Sequence, residues 1–172
     1  MLNERRLRWS CRRLLRTLGV EPPIDVTELC RRLGEHRGRE LRLMPFALDV
    51  PGPLGLWVEA DRFDVIVYQS ETSGAHQDHI ILHEVGHIVA GHGGDAYPEE
   101  EQQILPDVPD DPGLRRLRRT SYEATTEREA ELIASIIGEG MGLLSTGGAL
   151  APAVEAGRRI QGSLSYQVGW WQ

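Results

Sequence analysis

Five consecutive residues, His83-Glu84-Val85-Gly86-His87, spell H-E-x-x-H. On a helix, positions i and i+4 face the same way, so both imidazoles can present a nitrogen to one metal ion. Glu84 then stands beside the ion as a general base for a hydrolytic water. With 6 His and 17 Glu in 172 residues, a shuffled chain shows this pattern roughly 2% of the time. The surrounding residues must therefore supply a helix and a further ligand.

Both are found. The run from Ala75 to Ala90 has no proline, and Ile81, Leu82, Val85, Ile88 and Val89 recur at helical spacing. Ser73 or Gly74 opens this helix, and Gly91, Gly93 and Gly94 end it close to His92. A catalytic zinc takes three protein ligands and keeps a fourth position for water. The best third ligand lies in the run Thr126 to Ile137, a second helical pattern in which Glu127 and Glu131 share a face. Ala130, Ile133, Ala134 and Ile137 form its apolar stripe, suited to packing on the first helix. With Glu127 on the metal, Glu131 lies one turn further on. There it can accept a hydrogen bond from the distal nitrogen of a ligand histidine.

These two segments, HEVGHIVAGH and EREAELIAS, resemble the ImmA/IrrE family of metallopeptidases, with its H-E-x-x-H and later E-x-E-A-x-x-x-A. Ile24 to Cys30 is similar to the family's P-I-D-V-x-x-L-A helix start, and Asp64 to Tyr68 to the strand before the metal helix. The resemblance spans roughly residues 10 to 140, and its specific part is the two metal segments. It implies that His83, His87 and Glu127 are zinc ligands and that Glu84 is the catalytic base of a gluzincin-like metalloendopeptidase. It also implies a substrate class: relatives cleave helix-turn-helix repressors, so that transcription resumes under stress or on mobile-element induction. Three features depart from the family pattern. Glu131 stands where Asn or Asp is common, Ile133-Ala134 replaces a Phe-Ala pair, and the segment between Ile88 and Thr126 is long.

The other histidines read differently. His92 follows His83 by nine residues, one short of the three-histidine pattern H-E-x-x-H-x-x-G-x-x-H, and Ala90 occupies the glycine position. It reads as a helix-end cation complementing the dipole. His79, one turn before His83, and Tyr122, just before Glu127, are candidates for stabilising an oxyanion.

Composition bounds the rest. A chain of 172 residues suits one domain with a proper core. The expected class is α+β, a small sheet of three or slightly more strands against a zincin-like helical core, spanning residues 1–146. Leu41 to Met44 reads as a strand ending before Pro45. Leu56 to Ala60 and Val65 to Tyr68 read as a hairpin about an Asp61–Asp64 turn. Residues 93–120 form a long acidic and then basic insertion. A Gly/Ala/Ser-rich tail, 147–172, carries Trp170-Trp171.

The net charge of −7 argues against direct, nonspecific nucleic-acid binding by the chain. An amphipathic N-terminal helix has Leu7, Cys11, Leu14, Leu15 and Leu18 on one stripe; its arginines either are simply solvated or bind an acidic partner or DNA phosphates. Cys11 and Cys30 form no C-x-x-C and fit a reducing cytoplasm, and neither a secretion signal nor a membrane span is expected. Two rival functions fit the same residues. A non-catalytic, regulatory protein-binding module retaining the metallopeptidase fold would act unchanged after Glu84→Gln. A small-amide hydrolase would have an enclosed cleft without an open sheet edge.

Overall fold

The computed structural model describes residues 4–48, 52–59, 62–92 and 124–143. Its elements run in the order α1 (Glu4–Thr17), α2 (Val26–Arg37), β1 (Glu40–Phe46), β2 (Gly55–Glu59), β3 (Phe63–Gln69), α3 (Gly74–Ala90) and α4 (Ala124–Gly140). Four helices and a three-stranded sheet make a mixed α/β arrangement compatible with the expected α+β class. The 93–120 insertion, Tyr122 and the 147–172 tail with Trp170-Trp171 lie outside the described residues. No helix among the described residues is long and apolar enough to cross a membrane.

Local chemistry sets the helix ends. Asp25 caps α2 by accepting the Glu28 amide at 2.7 Å, and Gly38, at φ 68°, closes it in the left-handed region. Ser73 caps α3, its side chain accepting from the His76 amide. The amphipathic stripe of α1 is buried at Cys11 and Leu15, and Leu18 just beyond the helix continues it. It lies against α4 so closely that a Cβ on Gly140 would stand 2.4 Å from Leu15 Cδ1. Arg8 reaches from α1 to Glu139 at 3.0 Å, a solvent-facing tie of small energetic weight.

The strand order is β1-β3-β2, with β1 parallel and β2 antiparallel to the central β3. The β2–β3 hairpin is present in the register Glu59↔Asp64, but β3 and β1 differ in extent from the sequence reading. β3 begins at Phe63, so Phe63 and Asp64 are strand residues rather than part of the turn. Asp64 is completely buried, accepting from Arg37 and, at 2.9 Å, from Arg39 Nη2. Those paired guanidiniums allow a residue usually found in turns to sit in a central strand. β1 likewise runs on through Pro45 to Phe46, which an edge strand tolerates.

The sheet buries both faces. Leu41, Trp57 and Ile66 join Cys11, Leu29, Leu33, Leu82, Val85, Ile133 and Ile137 in the main core beneath the helices. Leu56, Val58, Phe63, Val65 and Val67 form a second cluster on the opposite face. This alternation along β3 follows from the two-residue period of a strand.

Candidate metal centre

Gly86 sets how near the two site-bearing helices can come. A Cβ at Gly86 would lie 2.5 Å from the Ala130 carbonyl oxygen and 2.9 Å from Ala130 Cα. No larger side chain fits without separating α3 from α4. On the α4 side the contact is made by the stripe read from the sequence, with Ala130, Ile133, Ala134 and Ile137 all buried. Glu127 lies one turn before Ala130, and this close approach brings its carboxylate over the two histidines.

His83 Nε2 and His87 Nε2 stand 3.1 Å apart, and Glu127 Oε2 is 3.1 Å from His83 Nε2. Glu127 Oε1 is 3.4 Å from His87 Nε2, within ion-pair range but outside hydrogen-bond geometry. Oε1 is therefore a buried oxygen with no hydrogen-bond partner. His83, His87 and Glu127 form a group that could hold a metal ion. The separations support this: ligands about 2.05 Å from a tetrahedral ion lie about 3.3 Å from one another. The donor set of two imidazoles and one carboxylate is also that of catalytic sites which keep one position open.

Outer contacts orient these donors. Glu131 Oε2 lies 3.3 Å from His83 Nδ1, the nitrogen facing away from Glu127, and 3.3 Å from His79 Nε2. The structure thus brings Glu131 to the distal nitrogen of His83, and His79 to Glu131 rather than to the ligand group. His92, at the end of α3, is largely buried. It folds back so that its Nδ1 meets His87 Nδ1 at 3.2 Å, while its Nε2 meets Glu129 Oε2 at 3.3 Å. Neither His92 nor Glu129 is evident as a site residue from spacing. The available signal is Gly91, which reverses the chain just after the helix.

Glu84 sits under β2, its carboxylate beside Gly55 and hydrogen-bonded to the backbone amide of Trp57. Burial pushes its pKa up to about 7. The Glu127 charge adds to the rise, whereas the charge of His83 and the Trp57 amide oppose it. A carboxylate poised near neutrality can both take and return a proton. Burial alone would depress His83, but hydrogen bonds with Glu127 and Glu131 carry it up to about 10. Burial likewise disfavours ionised Glu127 and Glu131, yet their histidine partners hold both down at about 2. His87 is lowered, chiefly by burial, which favours the neutral imidazole that a metal requires.

Comparison with protein-family models, with curated proteins and with solved structures returns no match.

Proposed function

We propose that the chain is a zinc-dependent metalloendopeptidase of the ImmA/IrrE type, with a zincin-like core. In this reading it hydrolyses a peptide bond in a helix-turn-helix transcriptional repressor and so relieves repression. The observation that carries the hydrolytic part is the convergence of His83, His87 and Glu127 with the buried Glu84 on the same helix. The substrate class rests on the resemblance of HEVGHIVAGH and EREAELIAS to that family.

His83 Nε2, His87 Nε2 and the Glu127 carboxylate are the groups that would hold zinc. When bound, zinc supplies Lewis-acid polarisation of a carbonyl and lowers the pKa of water toward about 7. Glu84 accepts the proton of the attacking water and passes it to the leaving amine, a task matched by its elevated pKa. Glu131 holds the His83 ring by its Nδ1. Among the described residues β2 pairs with β3 alone, and it adjoins Glu84.

The test uses the zinc-loaded chain and a helix-turn-helix repressor encoded beside its gene, with cleavage followed by mass spectrometry. Cleavage by the wild type and none by Glu84→Gln supports the reading. Repressor inactivation that survives Glu84→Gln selects the non-catalytic binding module instead. Turnover of small amides with no cleavage of folded protein selects the small-substrate hydrolase.

A further inference from the structure

Gly91 terminates α3 in the left-handed conformation, φ 71°. Its amide meets the Ile88 carbonyl at 3.2 Å, and the His92 amide meets the His87 carbonyl at 3.0 Å. These are the paired bonds of a Schellman turn, which folds the residue after the glycine back over the last helical turn. His92 is that residue, and the turn lays its ring edge-on to His87, with centroids 5.2 Å apart.

The contact that results is chemically directional. Two imidazole nitrogens at 3.2 Å can share one proton, so one donates and the other accepts. His87 is almost fully buried, at 1% exposure, and its Nε2 is the atom turned toward His83 and Glu127. For that nitrogen to keep its lone pair, the proton must sit on Nδ1. His92 Nδ1 must then accept it, which places the His92 proton on Nε2. Glu129 Oε2 lies 3.3 Å from that nitrogen, and a carboxylate only accepts. The chain Glu129, His92, His87 therefore has one self-consistent proton arrangement, and it leaves His87 Nε2 free to ligate.

We propose that His92 and Glu129 are positioning residues of the metal centre, Glu129 setting the tautomer of His92 and His92 setting the tautomer and ring orientation of His87. The proposal rests on the metal-centre reading of His83, His87 and Glu127. Each ligand histidine is then steered from α4: His83 directly by Glu131, and His87 by Glu129 through an interposed imidazole. The alternative role for His92 and Glu129 is a plain tie between the end of α3 and the start of α4. That role involves the same contacts but predicts no effect on the metal beyond that on folding.

The experiment measures Zn²⁺ affinity by competition with a chromophoric chelator, and the absorption of the Co²⁺-substituted protein. The proteins are wild type, His92→Phe, Glu129→Ala, Glu129→Gln, the double variant His92→Phe/Glu129→Ala, and Glu127→Ala. Thermal unfolding in excess chelator reports folding alone. Loss of an outer hydrogen-bond partner weakens metal binding about 10–100-fold. That loss is expected for His92→Phe and for Glu129→Ala, with a shifted Co²⁺ spectrum and little change in unfolding of the chelated protein. The double variant is expected to be no weaker than the worse single one, because both break a single chain of bonds. Glu129→Gln keeps an acceptor oxygen and is expected to recover most of the affinity.

Unchanged affinity in a folded His92→Phe, or losses that multiply in the double variant, overturns the proposal while leaving the metal centre standing. Should His92→Phe fail to fold, the contrast between Glu129→Ala and Glu129→Gln decides alone. Equal losses would then refute a role through acceptance of the His92 proton. Wild-type protein that takes up no Zn²⁺, or takes it up equally after Glu127→Ala, overturns the metal-centre reading itself and the proposal with it.

Discussion

Replacing Gly86 by alanine adds one methyl group at the point where α3 meets α4. That carbon would stand 2.5 Å from the Ala130 carbonyl oxygen, whereas ordinary contact begins at 3.4 Å, so the helices must part by most of an ångström. Alanine returns about 1 kcal/mol of helix propensity relative to glycine, against about 1–3 kcal/mol for overpacking. The metal-free protein is thus expected to lose no more than about 2 kcal/mol and to stay folded. Metal binding is far less tolerant, since ligand distances are held to about 0.2 Å. Displacing Glu127 by several times that amount would remove the third ligand of the proposed centre. Zn²⁺ affinity is expected to fall by about 100-fold or more, at least the loss seen when an outer partner of a ligand is removed. Chelator competition gives the affinity, and denaturant unfolding of the metal-free form gives the stability. Gly74→Ala, with nothing within 4 Å of its Cβ position, is the control. A folded Gly86→Ala that binds zinc within about threefold of wild type would show that the α3–α4 approach does not set the ligand geometry.

Three further outcomes follow from the charges at the site and beneath it. Glu84→Gln is expected to bind zinc and abolish hydrolysis. In the metal-free state it should also be more stable than wild type above neutral pH. The folded pKa of about 7 exceeds the unfolded value of 4.5, so wild type loses stability relative to the variant as pH rises from 4.5 to 7. Urea melts at pH 4 and pH 8 check this, and an equal difference at both values would count against it. Zinc uptake near pH 7 is expected to release about one proton, because His83, at about 10, must shed one to ligate. The affinity should then rise about tenfold per pH unit between 6 and 8, measured by calorimetry in buffers of different ionisation enthalpy. Asp64→Ala leaves two guanidiniums, 24% and 27% exposed, without their buried carboxylate. It is expected to cost about 3 kcal/mol of stability, with zinc affinity of the folded protein unchanged.

Much of the site is legible because its signals are local. The i, i+4 spacing of His83 and His87, the Ser73 cap and the Gly91 stop all depend on neighbours within a turn or two. The apolar stripe of α4 places Glu127 and Glu131 on one face in the same way. Asp64 was illegible for the converse reason. Aspartate favours turns until a partner neutralises it, and Arg37 and Arg39 are brought to it only by the return of the chain from α2 through β1. Pro45 similarly looks like a strand end until β1 proves to be an edge.

The amino-acid order by itself determined which residues could ligate and which faces they occupy, because helical periodicity is a property of each segment alone. Distances between segments belong to the folded molecule. Gly86 meets Ala130, and so Glu127 among 17 glutamates arrives 3.1 Å from His83. The left-handed turn at Gly91 lays His92 on His87, and the packing of α4 brings Glu129 to the far side of that ring. The edge of β2 supplies the amide that holds Glu84. Each of these contacts depends on how close two packed surfaces come, and that spacing is decided only when side chains from distant parts of the chain interlock.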